Sequence, residues 1–372
     1  MKKKILRITM VLFTFLIGPG LSHGAESIKI ALIFAKTGIA GSANLHHFQG
    51  ARFAVNEINQ QGGLLGKKVE LLEFDNCSSP IQSKLAAKKA VKAGVVAVIG
   101  ASWSSHSLAL TPVLQKSGIP MISPDSTNPK VTREGDYIFR ACFIDPFQGE
   151  ALAKFATREF QAKTAVIAVK ITSAYSLGLA EMFRKHFEQM NGKVLAELEY
   201  KQKQTDFEEI LVQARKLSPD ILFVPGHDES GLIVKQAQEM GIKSIMLGGD
   251  GWAYRQFYVN GGQELKQGFY TTHWSRDLDT PETRDFVERY QRIYEINDFA
   301  TITYDAVMLL ADAIRRAGSE DRIKIRDALS KTRNFRGVTG DITFDKNGDP
   351  VKPAVIMKIE NGKATYFKTI SP

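Results

Sequence analysis

Cysteine is nearly absent from this chain of 372 residues: only Cys77 and Cys142 are present. Two cysteines exclude a small disulfide-stapled scaffold. Proline (13) and glycine (30) stay at ordinary levels, which excludes collagen-like and low-complexity architectures. Beyond residue 17 no stretch approaches the roughly 18 continuous apolar residues of a membrane helix. Catalytic signatures are missing too. The first strand-like run is followed by Ala35-Lys-Thr-Gly-Ile-Ala-Gly-Ser, with no dinucleotide glycine fingerprint. Gly62-Gly-Leu-Leu-Gly66-Lys67-Lys68 is one residue short of a phosphate loop and lacks its hydroxyl, so it reads as a turn into the second strand. Gly100-Ala-Ser102-Trp-Ser104 ends in serine where a nucleophile elbow has glycine. Among seven histidines there is no His-x-x-x-His, and adjacent His46 and His47 cannot face one metal from a helix. Neither an enzyme, a metal site nor a cofactor is expected.

What is present is a globular composition, 44% hydrophobic and 24% charged, with a length that suits two domains. The net charge of +9 changes meaning once it is located. Lys2, Lys3, Lys4 and Arg7 precede the apolar run Met10–Ile17 and a Gly-Pro-Gly break, the pattern of a secretory signal. Ser22 and Gly24 place the cut at Gly24/Ala25, so residues 1–24 form the expected signal peptide. The remainder carries +5, mixed in sign along its helices, and no nucleic-acid partner is expected. Export to a bacterial periplasm follows. That oxidising compartment leaves two readings open for the cysteines, a Cys77–Cys142 disulfide or two buried free thiols.

Short β-branched runs alternate with amphipathic stretches. Ile28–Phe34, Val69–Phe74, Val95–Ile99, Thr164–Val169, Asp220–Val224 and Ser244–Leu247 are nearly continuously apolar, as parallel strands covered on both faces are. Phe48, Ala51, Val55 and Ile58 share one helical face, as do Phe286, Tyr290 and Ile293. The series runs twice, with four strands from 28 and four from 164. Residues 136–142 read as a crossing between the two units. This is an α/β pattern of two doubly wound parallel sheets.

Ligands bind outside the carboxyl ends of parallel strands. At those ends the first unit offers Trp103, Ser104 and Ser105 and then Asp125, Ser126 and Thr127. Serines at a helix start serve as caps or as anion donors, and two hydroxyl clusters on adjacent strands point to a carboxylate site. The second unit offers Tyr175, His227 and the Gly-Asp250-Gly turn, with Tyr175 and Trp252 placed to wall Asp250. An anion site facing a carboxylate suits a zwitterion, most simply an amino acid.

The ordered set Ile28-Lys-Ile-Ala-Leu-Ile, Gln49-Gly-Ala-Arg-Phe-Ala-Val-Asn-Glu-Ile-Asn59, Gly62-Gly-Leu-Leu-Gly66, Ile99-Gly100 with Ser104-Ser105, Ile122-Ser-Pro124 with Thr127, Tyr175, and Gly249-Asp250-Gly251 resembles the periplasmic leucine/isoleucine/valine-binding proteins, type I solute receptors of ABC importers. The resemblance implies the type I periplasmic-binding-protein fold, with lobes of 25–141 plus 273–348 and 142–272 plus 349–372 joined by a three-crossing hinge. It implies that Ser104 and Thr127 hold the ligand's carboxylate and amino groups, that Tyr175 lines the cleft, that Asp250 pairs with the ammonium and that Phe299 touches the ligand side chain. Asp125 falls where the family uses backbone atoms. Ala43, Trp103 and His227 replace a wall aromatic, a disulfide cysteine and a second tyrosine, so the side-chain pocket is altered and Cys77 cannot form the family's disulfide with position 103.

The expected function is capture of an amino acid, branched-chain or otherwise neutral, by a monomer that delivers it to an inner-membrane ABC permease. The alternatives are a receptor for another small polar solute (an amide, urea or an aromatic acid) and a ligand sensor for a signalling partner.

Overall fold

The computed structural model describes residues 27–372, so the expected signal peptide lies outside the described residues. The first half runs β1 (Ile28–Phe34), α1 (Gly41–Gln60), β2 (Val69–Asp75), α2 (Pro80–Lys92), β3 (Ala97–Gly100), α3 (Ser104–Lys116), β4 (Met121–Ser123) and β5 (Ile138–Arg140). It continues with α4 (Asp145–Phe160), β6 (Thr164–Lys170), α5 (Ala174–Gln189), β7 (Lys193–Tyr200), α6 (Glu208–Leu217), β8 (Ile221–Val224), α7 (Glu229–Glu239), β9 (Ile245–Gly248), α8 (Arg255–Val259) and β10 (Gln267–Thr272). The last third holds α9 (Pro281–Tyr290), α10 (Asp298–Ala317), α11 (Arg322–Ser330), β11 (Phe335–Gly337), β12 (Gly340–Ile342), β13 (Ala354–Glu360) and β14 (Lys363–Ile370).

Two sheets result. The first is parallel throughout in the order β2-β1-β3-β4-β5. The second runs β7-β6-β8-β9-β10-β13-β14, parallel up to β10 and antiparallel at its last two strands. Strand periodicity of two explains the apolar runs. Ile28, Ile30, Leu32 and Phe34 pack with α1 and α10 on one face, while Ala31 and Ile33 pack with α2 and α3 on the other. In β6, Val166 and Ala168 face one core and Ala165, Ile167 and Val169 the other. Gly50 allows α1 to lie against α10, because a Cβ there would sit 2.1 Å from the Ala300 carbonyl oxygen. Gly63 turns the chain into β2 at φ +81, where a Cβ would meet the Lys67 carbonyl at 1.9 Å.

The chain passes between the sheets three times, after β5, after β10 and before β13. Helices α9, α10 and α11 bury Phe286, Ile302 and Ile325 in the core of the first sheet, whereas Ile356 and Val355 of β13 join the cores of the second. The guanidinium of Arg140 fastens this region. Its Nε lies 2.6 Å from Asp349 Oδ1 on the third crossing, and its Nη2 donates to the Asn128 carbonyl and Thr132 Oγ1, both at 2.9 Å. Its Nη1 donates to the Ser126 carbonyl. One buried side chain thus ties the loop after β4 to the hinge.

Four expectations change. Residues 138–140 are not part of a crossing but pair with β4 as the edge of the first sheet, and the crossing follows them. Helix α9 ends at Tyr290, leaving Ile293 58% exposed rather than on the core face. Strands β10 and β14 were not anticipated. Cys77 and Cys142 are both free, and they do not share an environment. Cys142 is buried in the core of the first sheet, whereas Cys77 is exposed on the loop after β2, so the pair forms no disulfide and only one thiol is buried.

Candidate functional site

The two sheets present their carboxyl ends to each other, and the loops there carry the residues singled out by sequence. From the first lobe, Trp103 caps α3 and Ser104 begins it, so the unpaired N–H groups of that first turn and the helix dipole face the cleft. Ser104 Oγ accepts from the Asn128 backbone N–H at 3.3 Å, which docks this helix start on the loop after β4. That loop carries Asp125, Ser126 and Thr127, all buried. Thr127 Oγ1 is buried beside the Asp145 carboxyl, which its hydroxyl helps to hold down against burial.

Two of the expected residues have their hydroxyls committed to the protein. Ser126 Oγ donates to the Ala101 and Ser102 carbonyls and lies 2.7 Å from Ser107 Oγ, bracing the two loops. Ser105 Oγ accepts from the Ala174 N–H of the second lobe at 3.2 Å. Asn128 Nδ2 donates to the Ala174 carbonyl at 2.8 Å, so the start of α5 is clasped from both sides.

On the second lobe Asp250 is buried directly after β9. Its Oδ1 accepts from Gln148 Nε2 at 2.7 Å, and its Oδ2 lies 3.3 Å from His273 Nε2 on the second crossing. Tyr175 stands beside it, its hydroxyl accepting the Gly251 N–H at 3.1 Å. Burial alone would raise this carboxyl, but His273, Gln148 and Tyr175 outweigh it and hold Asp250 below the usual carboxylate range. The second lobe therefore presents a fixed anion.

An aromatic wall joins the lobes. Trp103 stacks on His227 at 4.7 Å between ring centres, His227 leans on Tyr175 at 4.7 Å, and Tyr254 stacks on Phe299 at 3.8 Å. Ala43 is packed with Trp103, Tyr254 and Phe299. Burial pushes His227 down to about 3, so this ring serves as a neutral surface.

The side chain of Asp125 points into this wall. Its Oδ2 accepts from Ser102 Oγ (2.9 Å) and from the Tyr254 hydroxyl of the opposite lobe (2.7 Å), and those two hydroxyls lie 2.6 Å apart. His47 Nε2 approaches to 3.5 Å. Thr303 Oγ1 gives its proton to the Phe299 carbonyl, so it accepts from His47 Nδ1, and a neutral His47 then turns a lone pair toward Asp125. Burial holds His47 in that neutral form, pushing it down to about 3, and raises Asp125 to about 7.

Trp252 does not wall Asp250. It is fully buried in the second lobe, stacked on Phe257 with its Nε1–H donating to the Val224 carbonyl. The short 3-10 turn Asp250–Ala253 rotates Trp252 inward and delivers Tyr254 to the cleft instead. Tyr254, Gln148 and His273 were not picked out by sequence. Among the described residues there is no group of three His, Cys, Asp or Glu side chains able to hold a metal ion, and no helix long and apolar enough to cross a membrane.

The periplasmic binding protein family profile matches residues 27–364. A Leu/Ile/Val-binding protein homolog from Brucella suis is 29% identical over 328 residues, covering 86% of this chain and 88% of its own. A leucine-, isoleucine-, valine-, threonine- and alanine-binding protein from Pseudomonas aeruginosa is 28% identical, covering 88% of each chain. The crystal structure of a leucine-binding protein from Thermotoga maritima superposes with a TM-score of 0.88 at 35% identity, over 93% of this chain and 99% of that one. A branched-chain amino acid transporter substrate-binding protein from Streptococcus pneumoniae, solved with isoleucine, gives 0.88 at 31% identity, over 93% of this chain and all of the other.

Proposed function

The chain belongs to the periplasmic binding protein family, among the leucine/isoleucine/valine-binding proteins, and from that premise we propose that it captures one α-amino acid between its lobes and delivers it to an ABC permease. The carrying observation is the opposition of Ser104 and Thr127 on one lobe to Asp250 on the other. A ligand carboxylate takes the first N–H groups of α3 together with the Ser104 and Thr127 hydroxyls, and its ammonium pairs with Asp250. Tyr175, His227, Trp103 and Phe299 enclose the remainder. Because the ligand touches both lobes only when they are closed, it shifts the receptor toward the closed form, which the permease then reads. The lobes would be 25–141 plus 273–348 and 142–272 plus 349–372, hinged at the three crossings. The protein would work as a monomer in the periplasm, after removal of residues 1–24, and without turnover of its ligand.

A thermal-shift panel of amino acids, amides, urea and aromatic acids tests this. A ligand at 100 times its dissociation constant adds about 2.7 kcal/mol of stability. Stabilisation by free amino acids, and not by analogues lacking the ammonium, is the expected outcome. Stabilisation by an amide, urea or an aromatic acid alone would replace this reading with that of a receptor for another polar solute.

A further inference from the structure

We propose that the receptor selects an amino acid whose side chain ends in a hydrogen-bond donor, a hydroxyl or an amide, and that Asp125 reads that donor. This inference rests on the amino-acid reading and deepens it. The relatives named above are described by leucine, isoleucine, valine or branched-chain amino acids, and the one from Pseudomonas aeruginosa by threonine and alanine as well.

Beyond the ammonium site lies the apolar wall of the cleft. There the aliphatic and aromatic surface of Ala43, Trp103, Tyr254 and Phe299 is interrupted by one carboxylate. Asp125 is 5% exposed, two residues before Thr127 in the same loop, and the charge of Asp250 across the cleft reaches it. Its Oδ2 is served by Ser102 and Tyr254, while Oδ1 is buried with no partner. The groups around it offer no further proton. His47 gives its own to Thr303, and the protons of the Ser102 and Tyr254 hydroxyls are spent within their triangle with Oδ2. Burial raises this carboxyl to about 7, and once ionised its buried oxygen short of a donor penalises a hydrocarbon neighbour and rewards a hydroxyl or amide N–H, so a ligand donor draws Asp125 into the ionised form. A site built to pair a ligand donor also rejects the isostere that lacks it more strongly than an apolar site distinguishes one methylene.

Calorimetry on wild-type protein, stripped of ligand by unfolding and refolding, tests this with two near-isosteric pairs: threonine against valine, and asparagine against leucine. The donor-bearing member of at least one pair should bind about tenfold to a hundredfold more tightly. Asp125→Ala, with its fold checked by circular dichroism, should erase that preference while amino-acid binding persists. Equal or tighter binding of valine and leucine would overturn the donor-selective site and leave the amino-acid reading standing. A preference that survives in folded Asp125→Ala would remove Asp125 as its reader. Absence of binding by all four, together with binding of a solute lacking an ammonium, would overturn the amino-acid reading itself. The wild-type comparison decides the selectivity even if the variant fails to fold.

Discussion

Tyr254 reaches across the cleft to Asp125: the hydroxyl carried by the loop after β9 lies 2.7 Å from a carboxylate oxygen carried by the loop after β4. The same ring lies flat on Phe299 of the first lobe. The two lobes are therefore joined by a protein contact. Tyr254→Phe keeps the stacking and removes the hydrogen bond, which contributes about 0.5–1.5 kcal/mol to a neutral Asp125 and about 1.5–3 kcal/mol to an ionised one. Stopped-flow measurement should show faster ligand release from the variant, and small-angle scattering a larger ligand-free radius of gyration. Unchanged values in both would show that this contact does not bias closure.

Asp250 is held ionised by Gln148, His273 and Tyr175, so its removal should be costly. Asp250→Asn leaves a ligand ammonium without its countercharge, a loss of about 2–5 kcal/mol. Calorimetry should find affinity reduced by well over tenfold with little change in melting temperature. Wild-type affinity in the variant would remove Asp250 from ammonium recognition.

Arg140 joins the loop after β4 to the third crossing through Asp349. Truncating one partner of a buried pair strands the other charge, at about 3–5 kcal/mol. Arg140→Ala should lower the denaturant midpoint by a matching amount, and the double variant Arg140→Ala with Asp349→Ala should recover part of it. Additive losses would show that the two side chains do not act as a pair.

Stability should depend on pH with a definite sign. Burial raises the carboxyls of Asp298, Asp125, Asp228 and Asp145 to about 6, 7, 7 and 8. Unfolded aspartates ionise near 3.9, so the folded chain binds extra protons between the two values. Their contribution is full below the unfolded value and is lost as pH rises through the folded ones. Burial depresses His47, His106 and His227 to about 3, 4 and 3, and below about 6.5 the unfolded chain takes protons that these residues refuse. The ligand-free melting temperature should therefore rise from pH 8.5 to about 6.5 and then level off. A melting temperature that does not change over that interval would show that these carboxyls are ionised in the fold.

Much of this was legible in the sequence because it rests on local pattern. β1 matches its apolar run residue for residue, and Asp250 announced itself by its flanking glycines after a buried strand. Strand β14 did not, since its residues are mostly exposed or half-buried and it closes the sheet antiparallel, where a doubly wound pattern predicts no partner. Which of Trp252 and Tyr254 faces the cleft depends on the phase of one 3-10 turn, and sequence spacing does not fix that phase. Gln148, His273 and Ser102 reach the site from separate elements, so only the assembled lobes bring them to Asp250 and Asp125.

Mass spectrometry of the small molecule released when freshly purified receptor is denatured identifies what the cleft holds. A single α-amino acid in stoichiometric amount is the expected result, held by Ser104 and Thr127 at one end and Asp250 at the other. Stoichiometric release of a solute with no ammonium group would contradict it.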